Sequence, residues 1–396
     1  MNWKPYADRL ASEVTHAVSR WRPAVATVPR HVFVPRWWAW SASGAGFYAD
    51  TWELREGPAD PDGWLDTAYS DRSLITRVGP LHADYAAPGQ QATGRPTSSA
   101  TLPGLVVQMA QHACINDGMD ILDVGTGSGY GCALLTARLG DHHVTSVDVD
   151  DYLTKAAADR LDTIGLHPGV IACDATGRLP GAYDRIMSTV AVRPVPASWL
   201  AALRPGGRLV TTITGTCLIV TADKQPDGSA TGRTEWDRAG FMATRNAPDY
   251  PPGLPEHFAA IRDDEGEQVG PGRYPVVKVT EAWDLYSTLG VSTPGIQHHY
   301  EESGAGQRTA WMLHPDGSWA RATAAGDDPP TVHQSGPRRL WDILDDTRHA
   351  WLRDGSLPAY GAKVTITPDG SIHLKRGHWQ AEIPASEGET ALRSGG

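Results

Sequence analysis

Three glycines at alternate positions, Gly125, Gly127 and Gly129, stand in the run LDVGTGSGY at residues 122–130. An apolar, β-type run leads into them and a helical run leaves them, so they mark a strand-to-helix turn. Lacking side chains, they let a ligand lie on bare backbone that a Cβ would block. The dinucleotide fingerprint spaces its glycines as GxGxxG and seats a pyrophosphate at the helix N-terminus. Here the spacing is GxGxG, with Asp123 just inside the strand end. That pattern suits a ligand without phosphate, whose amino-acid portion and ribose cross the glycines, and S-adenosylmethionine is the candidate. Asp148 ends the next strand, where its carboxylate can accept from both ribose hydroxyls. Asp174 ends a third, within reach of an adenine amino group. The cofactor set is therefore Asp123, Gly125, Thr126, Gly127, Ser128, Gly129, Tyr130, Asp148, Val149, Asp174 and Ala175. The plainer alternatives are a tight turn for the glycines and solvated turn residues for Asp148 and Asp174.

The elements that must hold these residues alternate along the chain. The spacing predicts a helix over 103–114, with Ser98, Ser99 or Thr101 as N-cap. Strand 119–125, helix 130–139 stopped by Gly140, strand 143–149 and helix 152–164 follow. Strands 169–174 and 183–190, helix 196–204 and strand 207–214 complete the series. Such βα alternation is an α/β, doubly wound, Rossmann-like sheet, which binds ligands outside the carboxyl ends of its strands.

The flanks read differently. Of fifteen tryptophans, seven lie in residues 1–64, seven in 236–396, and only Trp199 between. Residues 36–100 show few periodic runs and read as irregular. Past residue 216 the pattern turns to antiparallel hairpins, with the turn tetrapeptide PDGS at 226–229, 315–318 and 368–371. The intervals of 89 and 53 residues differ, so the tetrapeptides reflect turn chemistry and not a repeat. Residues 338–355 read as an amphipathic helix ending near Gly355. The expected division is a helical and irregular cap (1–100), a cofactor-binding core (101–245), a tryptophan-rich α+β extension (246–385) and a frayed tail (386–396).

With 46 acidic and 35 basic residues the net charge is −11, which argues against nucleic acid as partner. No apolar run reaches membrane-spanning length and the first residues do not read as a signal peptide, so a cytoplasmic protein with no membrane partner is expected. The four cysteines lack CxxC spacing. His298-His299 beside Glu301-Glu302 lacks the converging geometry of metal ligands, so no metal is expected. Amino methyltransferases carry an Asn/Asp-Pro-Pro-aromatic tetrapeptide after the fourth strand. Here Val190-Ala191-Val192 stands there, and the DYPP at 249–252 comes too late. No cysteine follows a proline, as cytosine C5 chemistry would need. O-methylation or a small-molecule acceptor remains.

The stretch VPRHVFVP at 28–35 resembles the N-terminal signature of protein-L-isoaspartate O-methyltransferases. Ala68-Tyr69-Ser70-Asp71 is similar to the segment before their active-site loop, and Thr101-Leu102-Pro103 with Met109 to their Ser-Gln-Pro…Met element. The glycine loop, Asp148, Asp174 and the run LRPGGRLV at 203–210 complete the set in order. The resemblance covers residues 20–220 and implies a class I methyltransferase sheet. It departs from the family at Thr101 and Leu102, and at the tryptophan-rich segments 36–67 and beyond 235. Those segments resemble the long actinobacterial variants that accompany ribosomal peptide natural products. The resemblance implies methylation of an Asp side chain in a constrained (macrocyclic or lanthionine-type) precursor peptide, with closure to aspartimide or opening to isoaspartate. Repair of isoaspartate in damaged proteins and a non-catalytic peptide-binding module are the alternatives. It also implies that Thr101, with Ser99 and nearby backbone N–H groups, orients the acceptor carboxylate, and that Tyr69 and Asp71 fold over the site. The oligomeric state is not legible.

Overall fold

The computed structural model describes residues 1–42, 50–245 and 255–385. Helices Lys4–Val14, Arg22–Thr27 and Arg30–Phe33 open the chain. Residues 36–100 are not irregular. They form a sheet of β1 (Arg36–Ala42), β2 (Thr51–Glu56), β3 (Leu74–Val78), β4 (Leu81–His82), β5 (Gln91–Thr93) and β6 (Pro96–Ala100). The order is β4-β3-β1-β2-β5, with β6 paired to β3. β4 and β5 hold too few side chains for a two-residue period to stand out, and the seven-residue β1 buries the adjacent Trp37 and Trp38 instead of alternating. Burial of aromatics holds them: Trp38, Trp52 and Leu54 share one cluster, while Trp37 and Trp64 pack into another.

The core strands are β7 (Ile121–Val124), β8 (Val144–Asp148), β9 (Gly169–Ala172), β10 (Tyr183–Val192) and β11 (Leu203–Ile213). All run parallel, in the order β11-β10-β7-β8-β9. Strand order reverses at β7, so the crevice at its carboxyl end is the switch point where such sheets bind ligands. Ile121, Leu122 and Val124 are buried, as the central strand of a covered parallel sheet must be. Helix Tyr130–Leu139 ends at Gly140, whose φ of 90° an L side chain would resist. Helix Asp151–Asp162 is capped by Asp150, whose carboxylate accepts from the N–H groups of Tyr152 and Leu153 at 3.0 and 3.3 Å.

Beyond the core, β12 (Leu218–Lys224) and β13 (Ala230–Arg238) turn antiparallel. The segment expected as one extension then divides. β14 (Gln268–Pro271), β15 (Gln297–Glu302), β16 (Gln307–Leu313), β17 (Trp319–Ala325) and β18 (Thr331–Ser335) make a separate antiparallel sheet. Helices Trp283–Ser292 and Leu340–Asp354 share its apolar cluster. β19 (Lys363–Ile366), β20 (Ile372–Arg376) and β21 (Trp379–Ile383) instead return to the main sheet through β13. The reason is the free edge that a terminal hairpin leaves, which β19 pairs. Val364, Ile366, Ile372 and Leu374 join the cluster of Trp199, Leu218 and Val220.

Each PDGS forms a hairpin turn, between β12 and β13, β16 and β17, and β19 and β20. In each, the aspartate accepts from the serine N–H: Asp227 at 3.0 Å, Asp316 at 2.9 Å and Asp369 at 3.2 Å. The expected tail at 386–396 and the DYPP at 249–252 lie outside the described residues. Among the described residues no helix is long and apolar enough to cross a membrane.

Candidate active site

After β7 the chain crosses the crevice through Gly125, Gly127 and Gly129, with φ values of 98°, 52° and 94°. These are left-handed conformations that glycine adopts without penalty. A Cβ at Gly125 would meet Val190 at 2.9 Å, and one at Gly129 would meet Ala157 at 2.9 Å. The N–H groups of Gly125 and Thr126 donate to the Val147 carbonyl, fastening the loop to β8. Asp148 fixes its other side, accepting from Gly127 N–H at 2.9 Å and from Asp150 N–H at 3.1 Å. Burial pushes the Asp148 pKa up, so the carboxylate gains from any further donor brought by a ligand.

Asp123 lies buried beneath the loop. Its Oδ2 accepts from Ser146 Oγ at 2.8 Å, and Ser146 shares a 2.7 Å bond with the Thr126 hydroxyl. Its Oδ1 is buried and has no partner among the described residues. Desolvation pushes the Asp123 pKa up to about 7. An orphaned carboxylate oxygen at the edge of a ligand crevice is completed by a donor from that ligand. Asp174 is exposed at the rim, with one oxygen taking the Thr176 N–H at 2.9 Å and its hydroxyl at 2.7 Å. It is thus a turn residue and a lining residue at once. The neighbouring Ala175 carbonyl accepts from Trp199 Nε1 at 2.7 Å. Ten of the eleven residues of the expected cofactor set line one cavity of about 970 Å³; Gly129 does not, and instead takes the cap position of helix Tyr130–Leu139. Bare glycine backbone, the Asp148 carboxylate and the orphaned Asp123 oxygen fit S-adenosylmethionine.

The four expected acceptor-side residues divide. Ser99 and Thr101 line the same cavity; Tyr69 and Asp71 do not. Tyr69 is a core residue, stacked on Trp3 with its hydroxyl 2.8 Å from His31 Nδ1. Asp71 accepts from Gly104 N–H at 2.7 Å and so caps helix Pro103–His112 from a distant segment. The expected caps Ser98, Ser99 and Thr101 do not fill that role. Ser98 and Ser99 belong to β6, and the cap position falls to Leu102, whose side chain bonds nothing. The Leu102 N–H donates to Ser73 Oγ at 3.1 Å.

Arg30 lies within the 28–35 run. It is fully buried, and its guanidinium donates to the carbonyls of Ala68, Ser70, Arg72, Ala100 and Thr101 at 2.7–3.3 Å. Burial pulls its pKa down to about 10. It ties the segment 68–72 to the end of β6 and so sets the place of Thr101. The signal available was a charged residue inside an apolar run, VPRHVFVP.

A second tie is Arg193. It follows β10, lines the cavity and donates to the Gly290 and Val291 carbonyls at 2.9 and 3.1 Å. Helix Trp283–Ser292 docks there closely: a Cβ on Gly290 would collide with the Gly215 carbonyl, and Cys217 N–H donates to Ser287 Oγ at 3.0 Å. This contact carries residues 280–298 to the far side of the cavity. The two adjacent histidines separate by strand alternation: His298 lines the cavity, while His299 packs on Phe258 and Trp311.

A parallel core ordered β11-β10-β7-β8-β9, with a glycine loop after β7 and an acid ending β8, is the class I S-adenosylmethionine-dependent methyltransferase fold. Residues 78–241 match the family model "Protein-L-isoaspartate(D-aspartate) O-methyltransferase (PCMT)", and the core is related to that family. A protein-L-isoaspartate O-methyltransferase of Azorhizobium caulinodans is 36% identical over 114 residues, covering 28% of this chain and 52% of the relative. One of Thermotoga maritima is 28% identical over 124 residues, covering 30% and 39%. The match thus spans about half or less of those relatives' length. A solved protein-L-isoaspartate O-methyltransferase aligns over 94% of this chain and 99% of its own, at 17% identity and a TM-score of 0.48. The family match begins at Val78, so the motifs at 28–35 and 68–71 precede it.

Proposed function

We propose that the protein is a carboxyl O-methyltransferase that esterifies an isoaspartyl or aspartyl carboxylate of a protein or peptide. The observation that carries this reading is that the family match over 78–241 contains the expected cofactor set together with Ser99 and Thr101, and all of these but Gly129 line one cavity. S-adenosylmethionine, when bound, supplies an electrophilic methyl group. The acceptor is an anion at neutral pH, since its reference pKa is about 4, so the chain need not supply a general base. Its work is to strip water from the carboxylate, hold one oxygen in line and keep solvent out. Thr101 is suited to donate from its hydroxyl to that carboxylate, with Ser99 beside it. The names of the relatives favour isoaspartate as the acceptor over a biosynthetic aspartate.

One observation supports a second reading, in which a normal Asp of a macrocyclic or lanthionine-type ribosomal peptide is methylated and closes to aspartimide. Thr280, Tyr286, Leu289, Gly290 and residues 293–298 line the cavity and lie outside the family match, so this chain surrounds its acceptor with additional surface. The test is mass spectrometry after incubation with S-adenosylmethionine and either linear isoaspartyl peptides or macrocyclic Asp peptides. Methyl esters on varied linear isoaspartyl peptides are the expected result. Esters confined to macrocyclic Asp peptides, followed by loss of methanol and trapping by hydrazine, would transfer the conclusion to the second reading. Cofactor binding without esterification of either probe would leave a peptide-binding module.

A further inference from the structure

His298 stands on β15, in the part of the cavity wall that the extension supplies, with its ring edge-on to Tyr286 at 6.0 Å. Its Nδ1 is buried and has no partner among the described residues. Burial pushes its pKa down to about 4, so the imidazole is neutral at physiological pH. A neutral imidazole offers one N–H donor and one bare acceptor nitrogen. That pair does not match a carboxylate, which only accepts, but it matches a peptide unit, which also presents one donor and one acceptor. A buried nitrogen without a partner is a cost that a bound group can remove.

We propose that His298 is a substrate-positioning residue that hydrogen-bonds the peptide main chain beside the acceptor residue. The proposal rests on the carboxylate-methylation reading above. Main-chain recognition accounts for why the extension approaches the cavity at all: a carboxylate and a methyl donor need only the core, whereas holding the flanking backbone needs a second wall. Arg193, Gly290 and Ser287 keep that wall in place by fastening its helix to the sheet.

The test uses the full chain with two probes, a linear isoaspartyl hexapeptide and a macrocyclic Asp peptide. His298→Phe keeps the ring volume and removes both nitrogens. It is expected to raise the peptide KM about tenfold while kcat stays within about twofold and S-adenosylmethionine affinity is unchanged. His298→Asn places a side-chain amide near the Nδ1 position and is expected to recover most of that loss. An unchanged peptide KM in His298→Phe overturns the proposal. In parallel, the His298 Nδ1 resonance of 15N-histidine-labelled wild-type protein, assigned against the Asn variant, should shift when a turned-over probe is added. A resonance that stays in place also overturns the proposal, and this arm does not depend on the Phe variant folding. If wild-type protein methylates neither probe, the carboxylate reading falls and this inference falls with it. If the wild type turns over a probe and His298→Phe behaves identically, only the inference falls.

Discussion

Asp148 and Asp123 stand at the carboxyl ends of adjacent strands, yet their surroundings divide their work. Asp148 is held by two backbone N–H groups and faces the cavity, so Asp148→Ala should remove a charge-assisted hydrogen bond worth about 1.5–3 kcal/mol. Calorimetry should then show S-adenosylmethionine binding weakened by roughly ten- to a hundredfold; wild-type affinity would refute the assignment. Asp123 offers a pH signature. Its pKa is about 7 in the folded chain, against about 3.9 for an unfolded aspartate. Between those values the folded state holds a proton that the unfolded state has lost. Its contribution therefore makes stability fall as pH rises from 4 to 7, levelling off above. Urea titrations of ligand-free protein should show this slope in the wild type and a flatter one in Asp123→Asn. Thr101 is tested by turnover: Thr101→Val should be slow with cofactor affinity intact, and Thr101→Ser should retain much of the rate. Equal turnover in the valine variant would reduce Thr101 to a structural residue.

Helix Pro103–His112 forms where its local pattern places it, but its cap comes from a distant segment. Its pattern was legible, because apolar spacing and Pro103 at the first turn are local signals. Its cap was not, because Asp71 arrives from 33 residues away. Asp71→Ala should destabilise the protein by about 1 kcal/mol, and Asp71→Asn should restore most of it, since an amide oxygen still accepts from Gly104. Loss of turnover in a fully stable Asn variant would return Asp71 to the chemistry. Arg30 supports the same region more heavily. Arg30→Met should cost at least about 3 kcal/mol, because buried carbonyls on two segments lose their donor. Arg30→Lys should not recover it, as an ammonium lacks the planar fork that spans them. Thermal unfolding decides both.

Across the whole molecule, the extension is part of the main sheet as well as a wall of the cavity. The sequence pattern reads as an extension (246–385) that follows the cofactor-binding core (101–245). The structure instead pairs β19 with β13 and buries Val364, Ile366 and Leu374 with the core strands. A chain ending at Arg245 should therefore expose that edge and its apolar face and aggregate. A soluble, monodisperse truncation by size-exclusion chromatography, still binding S-adenosylmethionine, would show that the added strands are dispensable.

The glycine-loop side of the cavity, with its strand-end acids, was determined by the sequence alone. Glycines at alternate positions and acids at strand ends act through local backbone geometry, so their spacing along the chain is already their spacing in space. The parallel core was legible for the same reason, since each strand and helix carries its own period. Only the tertiary structure decided the remaining wall of the cavity and what supports it. Tyr69 went to a packed core, Asp71 to a helix cap and His298 to the cavity wall. Arg30 and Arg193 became the ties between segments. Each of these placements depends on which distant segments pack together, and no local pattern records that. The short strands β1–β6 and the return of β19–β21 were hidden for a related reason: their stability comes from partners and buried tryptophans, not from a periodicity of their own.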